Sequence, residues 1–507
     1  MSRNKETAPA FFPTNSSMTI HFCNRSLLYS LVVTGSLTLQ LPAQIFSNLH
    51  NYGGPTVDGR YPVAGIISSG NKLFGTTVNG GASDQGTVFS VNRDGTGFAL
   101  LHSFTTAEGY SPYESVTVSG STLYGAALLG GSNGNGSIFA LNTNGSGFTV
   151  LHHFSASAEV PDVFNSPTNS EGSNPQGLTL VGSTLYGTAS AGGSSGKGTL
   201  FRLNTNGGGF GVVHHFAPQF QGFPPTNSDG MYPSSSLLFS GQTLYGTAVG
   251  GGNAAHGAIF SVQTNGTGFT NLHSFTVVFD NNTNLDGIYP DGQLTISGGT
   301  LFGMASQGGT AANGTLFSIN TNGTGFATIH QFTASHGYPF TLTNQDGINP
   351  SGGLVVSGST LFGKTKAGGR EGAGVIFALN VNGSGFTPLF NFASNAPPAT
   401  TNATGYNSYG KLLFSEGVLY GTAADGGPLG YGTLFSLSFP SLTISRSGTN
   451  VVLRWPTNTA GFTLQSTTNL VTPTLWSNVL SPIVIVSGQN SVTNAITGPQ
   501  KFYRLMK

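Results

Sequence analysis

Residues 294–332 read LTISGGTLFGMASQGGTAANGTLFSINTNGTGFATIHQF. Four short apolar runs fall in and around this stretch: QLTIS, TLFGMA, GTLFSIN and GFATIHQF. Each alternates or is rich in β-branched and aromatic residues, and none is long enough for a helix. Between them stand Ser-Gly-Gly-Thr, a Gly-Gly loop and Thr-Asn-Gly-Thr-Gly. Gly and Asn tolerate positive φ, so these are tight turns. The stretch predicts four antiparallel strands in sequence order.

The pattern occurs seven times. Its L-[FY]-G landmark falls at Leu73, Leu123, Leu185, Leu244, Leu301, Leu361 and Leu419. A period of this size with four strands per period points to an array of β-propeller blades. The phase of the array suggests how it ends. Phe46 to Tyr52 aligns with the fourth strand of a unit, Phe326 to Phe332, but precedes the first full unit. The seventh unit stops after its third strand, at Phe439. The expected fold is therefore all-β: a seven-bladed β-propeller closed by pairing the N-terminal strand with the last blade, spanning residues 44–440. Closure would remove exposed sheet edges.

Two phenylalanine positions repeat through the array. Phe89, Phe139, Phe201, Phe260, Phe317, Phe377 and Phe435 form one set; Phe46, Phe98, Phe148, Phe210, Phe269, Phe326 and Phe386 form the other. Each should bury about 150–250 Å² between neighbouring units. Gly75 and its six equivalents sit inside a strand, where close approach by a neighbour is the expected reason.

Composition narrows the function. Only 7% of the 507 residues are charged and the formal net charge is zero. Nucleic-acid binding needs clustered Lys and Arg, so no nucleic-acid partner is expected. The 77 glycines occupy fixed places in a repeat that also carries 37 phenylalanines, which marks a folded chain rather than a low-complexity one.

Residues 26–42, SLLYSLVVTGSLTLQLP, carry no charge, follow Arg25 and precede Ala43. They read as a signal peptide over residues 1–43, with Met18 as a second candidate start. The mature chain is then secreted, periplasmic or surface-exposed, with no membrane span. The single cysteine, Cys23, would be removed with the leader.

After Pro440 the repeat ends. Residues 441–507 contain both tryptophans, Trp455 and Trp476, and about six alternating runs such as Val451 to Trp455. They are expected to form a small C-terminal β-sandwich, fibronectin-III-like in type.

The units LYGTA…GG…GTLFSLNTNGTGF…LHxF resemble the GloVer (Gloeo/Verruco-type) tandem repeat of exported "choice-of-anchor" proteins. The resemblance covers residues 45–439. It implies Kelch-like propeller repeats and an exported protein, and it implies no activity.

Two polar elements repeat. His50, His102, His152, His214, His273 and His330 hold one place, which Phe390 fills in the remaining unit. Spread along outermost strands they should not converge on a metal, so a structural role is preferred. The motif [DE]-G-x-x-P occurs at Asp58, Glu108, Glu171, Asp229, Asp286 and Asp346, with Thr404 in the seventh unit. A carboxylate ring would suit calcium or acid–base chemistry; a turn in which the acid caps backbone N–H groups is preferred.

Departures from the repeat are the better functional addresses. The sixth unit carries Lys364, Lys366, Arg370 and Glu371 where others have mostly small or uncharged residues. Arg60 and Tyr61, with Tyr232 and Tyr289, sit just before a proline in their loops. These eight residues are the candidate ligand contacts on a loop-rich face. No catalytic motif, metal set or cofactor signature is present. The leading expectation is a monomeric, non-catalytic protein that binds or displays an extracellular glycan or protein. Its rival is a polysaccharide lyase or glycoside hydrolase with its site in the propeller funnel, which two convergent acids there would favour.

Overall fold

The computed structural model describes residues 44–506 apart from 55, 57, 159–166, 221–225, 279–281, 338–341, 395–400, 440–441, 457–462, 470–474, 488 and 498–499. The leader assigned to residues 1–43 lies outside the described residues. Among these the regular elements are strands, and no α-helix occurs. Among the described residues no helix is long and apolar enough to cross a membrane.

The strands divide among nine separate antiparallel sheets. Seven belong to the repeats. In the first repeat, Ile67–Ser69, Lys72–Thr77, Thr87–Asn92 and Ala99–Ser103 pair in chain order. The fifth repeat has the same order, with a longer first strand, Ile288–Ser297. In the fourth and sixth repeats that long strand is split, leaving Met231–Pro233 and Ile348–Pro350 as short extra strands.

This corrects the expected architecture. A seven-bladed propeller with Kelch-like closure is not found, because no sheet closes on itself or curls. The strand ladders are confined to separate sheets, and neighbouring repeats meet through side chains, single backbone bonds such as that from the Tyr232 N–H to the Lys197 oxygen, and a bridge between Gln293 and Gly353. The complementary chain ends specify which strand completes the last sheet. That sheet is Leu413–Ser415, Val418–Ala423 and Thr433–Ser438, with Ile45–Asn51 beside the third.

The second and third strands of each repeat are almost wholly buried because sheets cover both of their faces. Within each sheet the repeated glycine pairs with the repeated phenylalanine: Gly303 is opposite Phe317, and Gly75 is opposite Phe89. A Cβ on Gly303 would come within 2.3 Å of the Phe317 ring. The close neighbour required at this glycine is thus its own cross-strand partner, whose ring lies over the missing side chain.

Between sheets the cement is a second set of rings. His50 stacks on Phe98 at 3.7 Å between centroids, and His102 on Phe148 at 3.7 Å. The same contact recurs at His152–Phe210, His214–Phe269, His273–Phe326 and His330–Phe386. The seventh stack is Phe390 on Phe46, at 4.1 Å. It joins the sixth repeat to the strand that precedes the first.

The repeats, from Phe46 to Ser438, form one compact unit, and residues from Phe439 onward belong to another. The second unit has two sheets. One contains Thr443–Ser447, Asn450–Pro456, Gln489–Ala495 and Val484–Val486; the other contains Ser477–Asn478, Thr463–Thr467 and Phe502–Met506. Leu453, Trp455 and Val492 of the first share a core with Leu464 and Leu505 of the second.

Candidate functional site

Each repeat enters its first full strand through a short segment after the loop proline. There the repetition stops. The segments read Val63-Ala64-Gly65, Tyr113-Glu114-Ser115, Gln176-Gly177, Ser234-Ser235-Ser236, Asp291-Gly292-Gln293, Ser351-Gly352-Gly353 and, after Ser408, Tyr409-Gly410-Lys411. Residues from all seven line one cavity of about 800 Å³, together with Lys366 and Ser190 from second strands.

Glycine lets these segments approach. A Cβ on Gly292 would lie 2.3 Å from the Gly353 nitrogen, one on Gly352 2.2 Å from the Tyr409 oxygen, and one on Gly410 2.1 Å from the Gly65 nitrogen. Backbone therefore meets backbone at the inner margins of the fifth, sixth, seventh and first repeats, where no larger residue fits.

The charged groups of the cavity sit beside these contacts. The Lys366 ammonium is 3.5 Å from the Asp291 carboxylate and 4.6 Å from the centre of the Tyr409 ring. Lys411 donates to the Gln293 side-chain oxygen at 2.9 Å. Glu114 keeps part of its surface open to the cavity but is otherwise walled in. Burial, reinforced by the Asp291 charge, pushes its pKa up to about 8. Burial brings the Lys411 amine down to about 8. The Tyr113 hydroxyl is pushed up to about 12 by burial and then by Tyr409, Asp291 and Glu114. The cavity thus joins a carboxylic acid that holds its proton at neutral pH to a second carboxylate held by a lysine. A carboxyl whose pKa burial raises into the neutral range is suited to act as a general acid.

Of the eight residues singled out from sequence, Tyr289 and Lys366 line the cavity. Lys364 is fully buried nearby, within electrostatic reach of Lys366 and Asp291. Arg60 is bound elsewhere, its guanidinium 2.6 Å from Asp84 and its head over the Tyr61 ring. Tyr232 packs under the Lys197 ammonium. Arg370 and Glu371 are exposed on the Gly-Gly loop, where the Arg370 backbone N–H donates to the Asn391 side chain. Tyr61, Tyr232 and Tyr289 share a left-handed backbone, with φ of 57°, 61° and 57°. Such a conformation is uncommon for a bulky residue. Glu114, Asp291, Tyr113, Tyr409 and Lys411 escaped the sequence reading. Their signal is the divergence of the segment after each proline, visible only when the seven are aligned there.

The two repeated polar elements turn out to be partners. His50 meets Asp58 at 2.7 Å, His214 meets Asp229 at 2.8 Å, and His330 meets Asp346 at 3.0 Å. His102–Glu108, His152–Glu171 and His273–Asp286 repeat the pair. Each carboxylate also accepts a backbone N–H, as from Ala217 to Asp229. Where the acid is Thr404, the histidine is Phe390, and the threonine hydroxyl accepts the N–H of Ala393 instead. From Glu171 onward an asparagine two residues before the acid, or before Thr404, pins the same loop: Asn284 bonds Gly287 at both ends and receives the Gly309 N–H. A cleft of about 820 Å³ beside His273, Asp286 and Phe326 is built from this architecture. Among the described residues no cluster of His, Cys, Asp or Glu could hold a metal ion.

The model of the Gloeobacter/Verrucomicrobia repeat matches residues 34–228 and 161–341, together more than half of the chain. The protein belongs to the Gloeobacter/Verrucomicrobia repeat family. Members of this family are tandem arrays, and here the array extends beyond the matched residues to Ser438. No curated protein matches in sequence. Solved structures that resemble this family member do so distantly. An oligogalacturonate lyase in complex with manganese has 10% identity and a TM-score of 0.42, covering 76% of this chain and 90% of that one. A nidogen/laminin complex has 16% identity and a TM-score of 0.34, covering 60% and 85%. TolB from Acinetobacter baumannii has 12% identity and a TM-score of 0.32, covering 59% and 58%. Likenesses this weak carry no argument about activity.

Proposed function

We propose that the cavity cleaves a glycan by acid–base chemistry. The observation that carries this reading is the convergence of Glu114 and Asp291, from different repeats, on one cavity whose other inner segments are mostly small. Architectural residues repeat; this pair does not. Glu114 gives its proton to the glycosidic oxygen as the C1–O bond breaks. Asp291 takes a proton from the water that adds to C1, and both carboxyls return to their starting states by exchange with solvent. Tyr113 and Tyr409 offer aromatic faces to sugar rings.

The test is release of reducing ends from a panel of polysaccharides by the full-length protein. Glu114→Gln and Asp291→Asn should each lower turnover by about 10²–10⁴-fold. Binding of a panel member without turnover by the unmodified protein would replace this reading with the non-catalytic one, which the tyrosine-bearing lining also supports.

We infer in addition that the chain is exported and loses residues 1–43, leaving an array over 44–440 and a separate C-terminal module. Mass spectrometry of protein recovered outside the cytoplasm tests this; an intact leader would overturn it.

A further inference from the structure

The second strand of the sixth repeat, Thr360–Ala367, reads TLFGKTKA. At the place of Lys364 the other repeats carry Thr76, Ala126, Thr188, Thr247, Met304 and Thr422. Three of these threonines donate to a carbonyl in the inner segment of the next repeat: Thr76 to Glu114, Thr188 to Ser235, and Thr422 to Ala64. Lys364 lies fully buried at this place, and its ammonium has no hydrogen-bond partner. Packing does not explain it, because Met304 fills the equivalent site of the fifth repeat and is also buried. An unpaired amine in such a position is unfavourable unless something arrives to meet it.

Its surroundings indicate what that is. Lys366 and Lys411 border the same end of the cavity. Lys366 shares Asp291 across 3.5 Å, and the hydrogen bond given by Lys411 goes to a neutral amide. The charged groups acting on Lys364 are Lys366 and Asp291. Two amines, Lys366 and Lys411, thus line the cavity with one ion-paired carboxylate, and Lys364 is buried within electrostatic reach of that pair, while Glu114, under the influence of Asp291, favours its neutral form.

We infer that this end of the cavity binds an anionic group carried on a sugar ring, a carboxylate or a sulfate ester, so that the glycan it takes is acidic rather than neutral. The inference rests on the reading of the cavity as a glycan site. A carboxylate or sulfate supplies the acceptor oxygens that Lys364 lacks and a charged partner for Lys411, whose hydrogen bond goes to the Gln293 amide, and lysine ammonium groups meet such oxygens with charge-assisted hydrogen bonds. Burial has driven the Lys364 amine well below its usual lysine value, so binding of an anion should draw a proton onto it.

The experiment is calorimetric binding of the full-length protein to three hexasaccharides: an oligouronate, the same oligomer with its carboxyls reduced to alcohols, and a sulfated derivative of that neutral oligomer. Glu114→Gln protein is used in parallel so that turnover does not obscure binding. At least one acidic oligomer should bind about tenfold more tightly than the neutral one, with proton uptake seen as a dependence of the heat on buffer ionisation. Whichever acidic oligomer binds better assigns the anion. Lys364→Met should abolish the uptake and most of the preference, and Lys411→Gln should reduce the preference; thermal melts confirm that both variants fold. Equal binding of acidic and neutral oligomers, or a preference untouched by both variants, overturns the inference. A lysine-dependent preference without turnover of any oligomer leaves the anion site standing and removes the cleavage reading instead.

Discussion

The His330 Nε2 atom lies 3.0 Å from an Asp346 carboxylate oxygen, so the last strand of one repeat is tied to the loop that enters the next. The same imidazole lies flat on Phe386. Because the seventh copy replaces both partners, with Phe390 and Thr404, the pair behaves as one unit. Asp346→Thr alone should strand the imidazole and destabilise the protein by about 1–3 kcal/mol. Adding His330→Phe should recover a large part of that loss. A double-mutant cycle in urea measures the coupling, and simple additivity of the two changes would count against the pair acting together.

Acid should weaken these ties in two stages. Burial lowers the pKa of His102 and His152 despite their carboxylate partners. The folded chain therefore binds fewer protons there than the unfolded one, and stability falls as pH drops below the ordinary histidine value of about 6.5. Asp286 and Asp346 follow at lower pH. Burial pushes their carboxyls up, but hydrogen bonds from His273 and Thr276, or His330 and Thr333, hold both below the usual range. Their contribution is present above about 3.9 and is lost as pH falls through the folded value. Urea titrations at a series of pH values should resolve both declines.

Gly303→Ala should be costly although it adds one methyl group. The new Cβ would meet the Phe317 ring at 2.3 Å. Overpacking of this kind costs about 1–3 kcal/mol. Pairing the change with Phe317→Leu should relieve the clash but not restore full stability, because the leucine leaves the space of the ring unfilled. Chemical denaturation of the two variants distinguishes these terms.

Lys364→Met should raise stability while harming function. Removing a buried amine without a partner is expected to add about 1–3 kcal/mol. The sign depends on pH. The folded state disfavours the ammonium, so the wild-type penalty shrinks as pH rises toward the ordinary lysine value of about 10.4. The gain from methionine should accordingly be larger at neutral pH than near that value. A melting series across this range checks both the size and the slope.

Turnover should decline above the pKa of Glu114, about 8, as the acid loses its proton. Moving the charge of its neighbour tests the assignment. Asp291→Asn removes a carboxylate that raises that pKa, so any residual activity should fall off at lower pH. A pH–rate profile of the two proteins gives the comparison.

Much of the scaffold was legible in the residues. Gly303 and Phe317, or Phe46 and Ile45–Asn51 as a whole, announce themselves because a repeated constraint leaves a repeated letter. The histidines and acids were legible as architecture but not as partners, since Asp346 is separated from His330 by a loop of variable length in other repeats. Glu114 and Asp291 were hidden for the opposite reason. A site made from unlike residues at one structural position has no period, and its members stand 177 positions apart in the chain. Closure was over-read: complementary ends specify a strand pairing, whereas the disposition of whole sheets depends on side-chain packing that the repeat letters do not encode.

The sheet completed by Ile45–Asn51 has a consequence for synthesis. Its first strand leaves the ribosome long before its neighbour, Thr433–Ser438, exists. Until then the strand has bare backbone edges, and Phe46 has no Phe390 to cover. Every incomplete chain therefore carries an unpaired strand with an uncovered phenylalanine, a mark that chaperones and proteases can recognise. The late arrival of the partner makes that sheet slow to assemble, and it lets completion of the repeat array be read from the opposite end of the chain.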